Sequence, residues 1–394
     1  MRLFIKSRLL CASVRVYPCK AGKDTLSLMN VQFIAELREQ RELTQLELAE
    51  RVGVSRQTLF TWEKGERMPS MVQLTKLAQA LEVSVDLFLK QESQLPTLLF
   101  RADDASSLSP ALRAVISQKV GDYAELERDL GEIATLPPAY PLEEYDPVKV
   151  ERLSREVRDF LGVEEAPLGD VISVLEDRGL KVLLTALPKS VSGFSAYTDE
   201  WGAVIVVNAT HRVERQYFTV LHELAHLVCH RKDYAGLNVP VVRDPREKIA
   251  NHLAGATLLA RDVVEYELRA YKGKWIPEPI LIALKHRYSV SMRTILMRAE
   301  QVGLITTKQK GQQLGMLNKA YTSESEPTSL QRHFECAGEP LMLTSRLERL
   351  VYQAASEQYI TRSRAAEILG VPLHIVRAKL SEWVKNQHSQ ESAA

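Results

Sequence analysis

The sequence predicts a multidomain, mainly α protein with a small α+β domain at its centre. Three observations predict it. Apolar residues recur at helical spacing along most of the chain. Strand-like runs are confined to residues 181–207. The 394 residues, 45% apolar and 26% charged, suffice for two or three packed domains at about 100 to 200 residues each. No window approaches the roughly 18 uninterrupted apolar residues of a membrane-spanning helix. With 51 basic and 50 acidic residues the molecule is near neutral, so any contact with nucleic acid must come from local clustering. Cys11, Cys19, Cys229 and Cys336 are too scattered for a disulfide framework, and no C-x-x-C pair offers a thiolate metal site, which fits a reducing cytoplasm.

Residues 1–28 mix Arg2, Lys6, Arg8, Arg15, Lys20 and Lys23 with short apolar runs, so no secretory signal forms and the segment is expected to be a disordered extension. Residues 29–90 read as five short helices: Phe33, Ile34 and Leu37 mark the first, Leu46, Leu48 and Ala49 the second, Leu59 and Trp62 the third, and Leu74, Leu77 and Leu81 belong to the later ones. Between the second and third, Gly53 permits a left-handed turn and Ser55 can cap the next helix, a helix-turn-helix layout. Residues 91–147 hold a helix near 109–131 and then Pro137, Pro138, Pro141 and Pro147, which read as a linker. In 148–305, helices near 148–161 and 168–178 precede strands at Lys181 to Thr185, Phe194 to Tyr197 and Val204 to Val207, and helices return at 211–231, 244–258, 277–287 and 290–302. Residues 306–342 are polar and weakly patterned, an expected loose extension. A last helical unit spans 343–386, and no internal repeat stands out.

In the helix-turn-helix layout the start of the second helix meets base edges in the major groove. Arg56, Gln57 and Thr58, with Thr61 one turn later, are types that reach guanine, adenine or the thymine methyl, while a Thr44 cap would set Gln45 against a phosphate. Eight Lys or Arg and nine Asp or Glu lie between Met29 and Lys90, so binding would depend on the few cations near that helix. The run from Thr44-Gln45-Leu46-Glu47-Leu48-Ala49 through Val52-Gly53-Val54-Ser55-Arg56-Gln57-Thr58-Leu59 to Trp62-Glu63-Lys64-Gly65 and Pro69 closely resembles the phage-repressor-like (Cro/CI or Xre) helix-turn-helix family over about 60 residues. The resemblance implies binding to double-stranded operator DNA, with base reading by Gln45, Arg56, Gln57, Thr58 and Thr61, and a homodimer on a palindromic site.

His222-Glu223-Leu224-Ala225-His226 is an H-E-x-x-H run within apolar helical sequence. Positions four apart share one helical face, so two imidazoles can reach one Zn²⁺, and Glu223 stands beside the open coordination position as a general base. A third ligand is required; Glu247 in the next helix is the first candidate, with Asp244 behind it and Asn251 four residues on as a supporting partner. Val191-Ser192-Gly193-Phe194, Val204 to Asn208, Arg215 to Thr219, the H-E-x-x-H helix ending in His230, and Glu247 to Leu259 resemble the ImmA/IrrE metallopeptidase family over roughly 150–305. The resemblance implies a zincin-like metallopeptidase fold, zinc held by His222, His226 and Glu247, Glu223 as general base, and cleavage of a regulatory protein. Leu253 and Ala260 replace the family's usual phenylalanine and proline.

His230 lies two turns from His222 and reads as packing, as do Cys229, Tyr217 and His252. The strand at Val204 to Val207 is either an edge that aligns a peptide or a core strand. In the last unit Thr361 or Ser363 caps a helix ending at Gly370, and Arg362, Arg364, Arg377 and Lys379 suit phosphate contacts; a second helix-turn-helix and a packing module both fit. Two functions follow: a cytoplasmic transcriptional regulator whose zinc endopeptidase domain cleaves a regulatory protein, or a non-proteolytic repressor or toxin-antitoxin regulator whose peptidase-like fold serves as a sensor.

Overall fold

The computed structural model describes residues 29–89, 108–132, 136–164, 166–198, 201–231, 245–321, 326, 333–336, 339–342 and 345–391. The extension at 1–28 and residues 90–107 of the connector lie outside the described residues, as does Asp244. Among those described, seventeen α-helices surround a three-stranded sheet.

The first five helices form the expected bundle: α1 (Gln32–Gln40), α2 (Gln45–Val52), α3 (Arg56–Glu63), α4 (Met71–Ala80) and α5 (Asp86–Leu89). Local chemistry sets their ends. Thr44 and Glu47 make a reciprocal capping box on α2, Ser55 caps α3, and Ser70 with Gln73 repeats the box on α4. Gly53 ends α2 at φ 78, a left-handed conformation that a side chain would strain. Phe33, Ile34, Leu48, Leu59, Trp62, Leu74 and Leu87 close a core of their own.

The connector helix α6 (Pro110–Asp129) lends Ala111 and Ala114 to that core and turns Leu112, Ile116, Val120 and Tyr123 into a second one. Then come α7 (Pro147–Leu161), capped by Asp146, α8 (Val171–Asp177), β1 (Lys181–Thr185), β2 (Gly193–Thr198) and β3 (Gly202–Asn208). β3 is central, parallel to β1 and antiparallel to β2. Of the two readings of that strand, the core strand is the one observed, because both its edges are hydrogen-bonded.

α9 (Val213–Cys229) and α10 (Pro245–Leu258) follow, then α11 (Arg261–Leu268), α12 (Glu278–Tyr288), α13 (Met292–Gln301) and α14 (Thr307–Ala320). The stretch expected as a loose extension thus holds a helix: Thr306 and Gln309 form a capping box, and Leu317 is buried in the central core. Leu314, Met316 and Leu317, bunched at one end of a polar window that also holds Gly311 and Gly315, are too weak a pattern to mark it. The hairpin β4 (His333–Cys336) and β5 (Glu339–Met342) precedes α15 (Arg346–Ser356), α16 (Arg362–Leu369) and α17 (Leu373–Glu391).

Side-chain alternation along β3 decides the layering. Ala203, Ile205 and Val207 face the core shared with α7 to α13, whereas Val204 and Val206 face the core of α6 and α15 to α17. The C-terminal helices therefore cover the second face of the sheet. A buried ionic cluster fastens them there: Lys181 Nζ lies 2.5 Å from Glu127, which also accepts from Arg346.

Candidate functional site

Helix α9 carries the H-E-x-x-H run, and its apolar side chains Leu221, Leu224, Ala225 and Val228 pack in the same core as Ile249, Ala250 and Leu253 of α10. That packing brings three polar side chains together. His222 Nε2 and His226 Nε2 are 3.0 Å apart, and the Glu247 carboxylate oxygens lie 3.3 Å from each of them. All the ligand atoms fall within 4.8 Å of one another, and among the described residues no other group of three such side chains does so. A tetrahedral ion with bonds of about 2.0–2.1 Å needs ligand atoms roughly 3.3 Å apart, so the donors fit zinc in kind and in spacing. Burial alone would raise the Glu247 carboxyl, but hydrogen bonding to His222 and His226 and their charge outweigh it and hold it far below the usual carboxylate range.

His226 turns its other nitrogen to His230, with Nδ1 to Nδ1 at 2.9 Å. A ligand histidine held this way on its far side keeps Nε2 aimed into the site. His230 is buried, as its packing role requires, yet it also supports the triad; the four-residue step from His226 was the signal for it. Glu223 is 8% exposed, and its Oε2 accepts from Ser195 Oγ on β2 at 2.5 Å. Ser195, fully buried, was not singled out, since nothing local ties a strand serine to a helix glutamate 28 residues on.

A cleft of about 720 Å³ opens beside the triad, lined by Tyr145, Phe218, Glu247, Lys248, Asn251 and His252 among others. Asn251 is exposed at this cleft. His252 uses both ring nitrogens, 2.9 Å from Glu151 Oε1 and 2.9 Å from the Tyr145 hydroxyl, and Glu151 in turn accepts from Arg298 at 2.8 and 3.1 Å. Tyr217 sits in the central core, and burial pushes the Cys229 thiol up to about 12, which keeps it from acting as a thiolate.

On the helix pair α2–α3, Arg56 and Gln57 are exposed while Gln45, Thr58 and Thr61 are half-buried. Gln45 links the two helices, donating to Glu63 at 2.7 Å and accepting from Arg56 Nε at 3.4 Å; Arg38 donates to the same Glu63 at 2.6 Å. Thr58 Oγ1 meets Ser55 Oγ at 2.8 Å, and Thr61 donates to the Thr58 carbonyl at 2.8 Å. The structure thus gathers Gln45, Arg56, Gln57, Thr58 and Thr61 on one helix pair, well apart in sequence from the triad.

A five-helix bundle with a helix-turn-helix pair is thus joined to a domain with an H-E-x-x-H helix, and two family models match these parts. Residues 34–88 match the helix-turn-helix family model, and residues 175–300 match the model of the IrrE N-terminal-like domain. The chain belongs to the helix-turn-helix family of transcriptional regulators and carries a peptidase-like domain behind its DNA-binding bundle. An uncharacterized HTH-type transcriptional regulator of Methanothermobacter thermautotrophicus is 48% identical over 61 residues, which are 15% of this chain and 88% of that protein. The cryptic phage CTXphi transcriptional repressor RstR of Vibrio cholerae is 38% identical over 53 residues, 14% of this chain and 47% of that one. A solved Mycobacterium tuberculosis transcriptional regulator aligns at a TM-score of 0.30 and 15% identity, covering 46% of this chain and 51% of its own. No helix among the described residues is long and apolar enough to cross a membrane.

Proposed function

We propose that this regulator binds operator DNA through α2 and α3 and cleaves a regulatory protein with a zinc-dependent endopeptidase centre in the cytoplasm. The convergence of His222, His226 and Glu247 carries the catalytic half of this reading. Zinc held by those three side chains would act as a Lewis acid and make its water acidic near neutral pH. Ser195 holds Glu223 Oε2, which leaves Oε1 to take a proton from the attacking water and return it to the leaving amine. The adjacent cleft would hold the substrate chain, with Phe218 and Met297 offering apolar contacts and Lys248 and Lys310 charged ones.

On the DNA side, Arg56, Gln57, Thr58 and Thr61 would face base edges, with Gln45 bridging to the same face. Pairing of such chains as homodimers on palindromic sites belongs to the same proposal. Arg56→Ala with Gln57→Ala should remove operator discrimination, measured by competition between selected and scrambled duplexes, and leave metal content unchanged; undiminished discrimination would defeat the assignment.

One observation favours the rival reading, a non-proteolytic regulator that uses the centre as a sensor: Glu223 lies buried against Ser195 rather than open to the cleft. Incubating the zinc-loaded protein with itself and with the products of neighbouring genes separates the two. A single defined scission, blocked by chelator and absent in Glu223→Gln, supports the peptidase. A zinc-loaded Glu223→Gln protein that still cuts would strip Glu223 of its role.

A further inference from the structure

Residues 361–380 reproduce the geometry of the first helix pair at a constant offset of 317 positions. Thr44 and Thr361 each cap their helix by accepting from the amide three residues on, at 3.2 Å from Glu47 and 3.1 Å from Arg364. Gly53 and Gly370 each end that helix in the left-handed region, at φ 78 and 67. Leu48 and Ala365 are fully buried within the first helix of each pair, and Leu59 and Val376 within the second. Four matched positions, two of them with side chains that differ, show a repeat of backbone geometry that identity along the chain does not reveal.

The pair is held firmly. Arg364 Nη2 donates to Asp122 of α6 at 2.7 Å, Glu367 accepts from Ser84 at the end of the first bundle, and Val376 and Leu380 join the core over the sheet. What remains outward is basic. Arg362, His374, Ile375, Arg377 and Ala378 are exposed. Five Lys or Arg stand against two Glu in 361–385, whereas acids outnumber bases in 29–90. Packing alone accounts for Val376 and Leu380, but among the described residues Arg362 and Arg377 have no carboxylate partner, and a duplex supplies one.

We propose that α16 and α17 are a second helix pair for double-stranded DNA, with Arg362 and Arg377 on phosphates and His374, Ile375 and Ala378 toward base edges in the major groove. The pair differs from the first at one end. Pro372 stands where Ser55 caps α3, and Leu373 lines a cavity of about 570 Å³ against α4, so base contact begins one residue later than in α3. Arg364 and Lys379 are bound to Asp122 and Glu348 and serve the fold rather than the duplex.

The test uses the full chain with Arg56→Ala and Gln57→Ala in place, so that the first pair is weakened equally in every protein compared. Binding to a short random-sequence duplex is followed by fluorescence anisotropy across a salt series. Adding Arg362→Ala and Arg377→Ala should lower the slope of log K against log salt by about two, since each lost phosphate contact removes about 0.9. Lysine at both positions should restore the slope, and the melting temperature should not move, because both side chains are exposed. An identical slope with and without the two arginines overturns the proposal.

Discussion

Glu247 is the one member of the His222, His226 and Glu247 cluster from outside the H-E-x-x-H helix, and on the proposed reading the centre depends on it. Glu247→Ala should abolish stoichiometric zinc in the purified protein. His230→Ala should leave zinc bound but about 10 to 100 times more weakly, because the Nδ1 contact that orients His226 is lost. Competition against a chromophoric chelator distinguishes these outcomes, and unchanged affinity in His230→Ala would reduce that residue to packing. The approach of His222 to His226 was legible from spacing, since a helix converts a four-residue step into one face. Ser195 and the partnered state of His252 were not, because their contacts, with Glu223, Glu151 and Tyr145, cross between elements that share no local pattern.

At the scale of elements, β2 meets α9 and β3 with no room for a side chain at Gly193. A Cβ on Gly193 would stand 2.6 Å from Thr219 Cγ2 and 2.6 Å from the Val206 carbonyl oxygen, and the oxygen is backbone that cannot swing aside. Gly193→Ala should therefore cost about 1–3 kcal/mol, seen as a lower urea midpoint with an unchanged slope. A wild-type midpoint would show that β2 can shift away from α9. α2 and α3, with their capping side chains, and α9, with its long apolar pattern, were readable in the sequence. α11 and α14 were missed because each buries only two residues of its length, Val264 and Leu268 in one and Gln313 and Leu317 in the other.

For the whole molecule, one buried carboxylate ties α7 to α10 and α13. Burial by itself would raise Glu151, but hydrogen bonds to His252 and Arg298 and the charge of Arg298 prevail and hold it at about 2, below its ordinary 4.5. Arg261 lies 3.9 Å away on the same side and adds to the positive surroundings. The unfolded chain binds a proton here that the folded chain refuses, so this contribution is complete above about pH 4.5 and fades as the pH falls toward 2. At about 1.4 kcal/mol per pH unit it amounts to a few kcal/mol. Chelator-treated protein should lose stability across that window in denaturant titrations, and Glu151→Gln should flatten the dependence while lowering stability throughout. A variant that keeps the full acid slope would assign it to other groups.

The sequence by itself determined the two family matches, the reader helices and the identity of the histidine pair, because each depends on spacing within a single helix or turn. It left the last unit open between a second helix-turn-helix and a packing module, and it did not determine that α15 to α17 close the second face of the sheet or that α6 joins two cores. Those followed only from the tertiary structure. They rest on apolar faces that choose their partners across hundreds of residues.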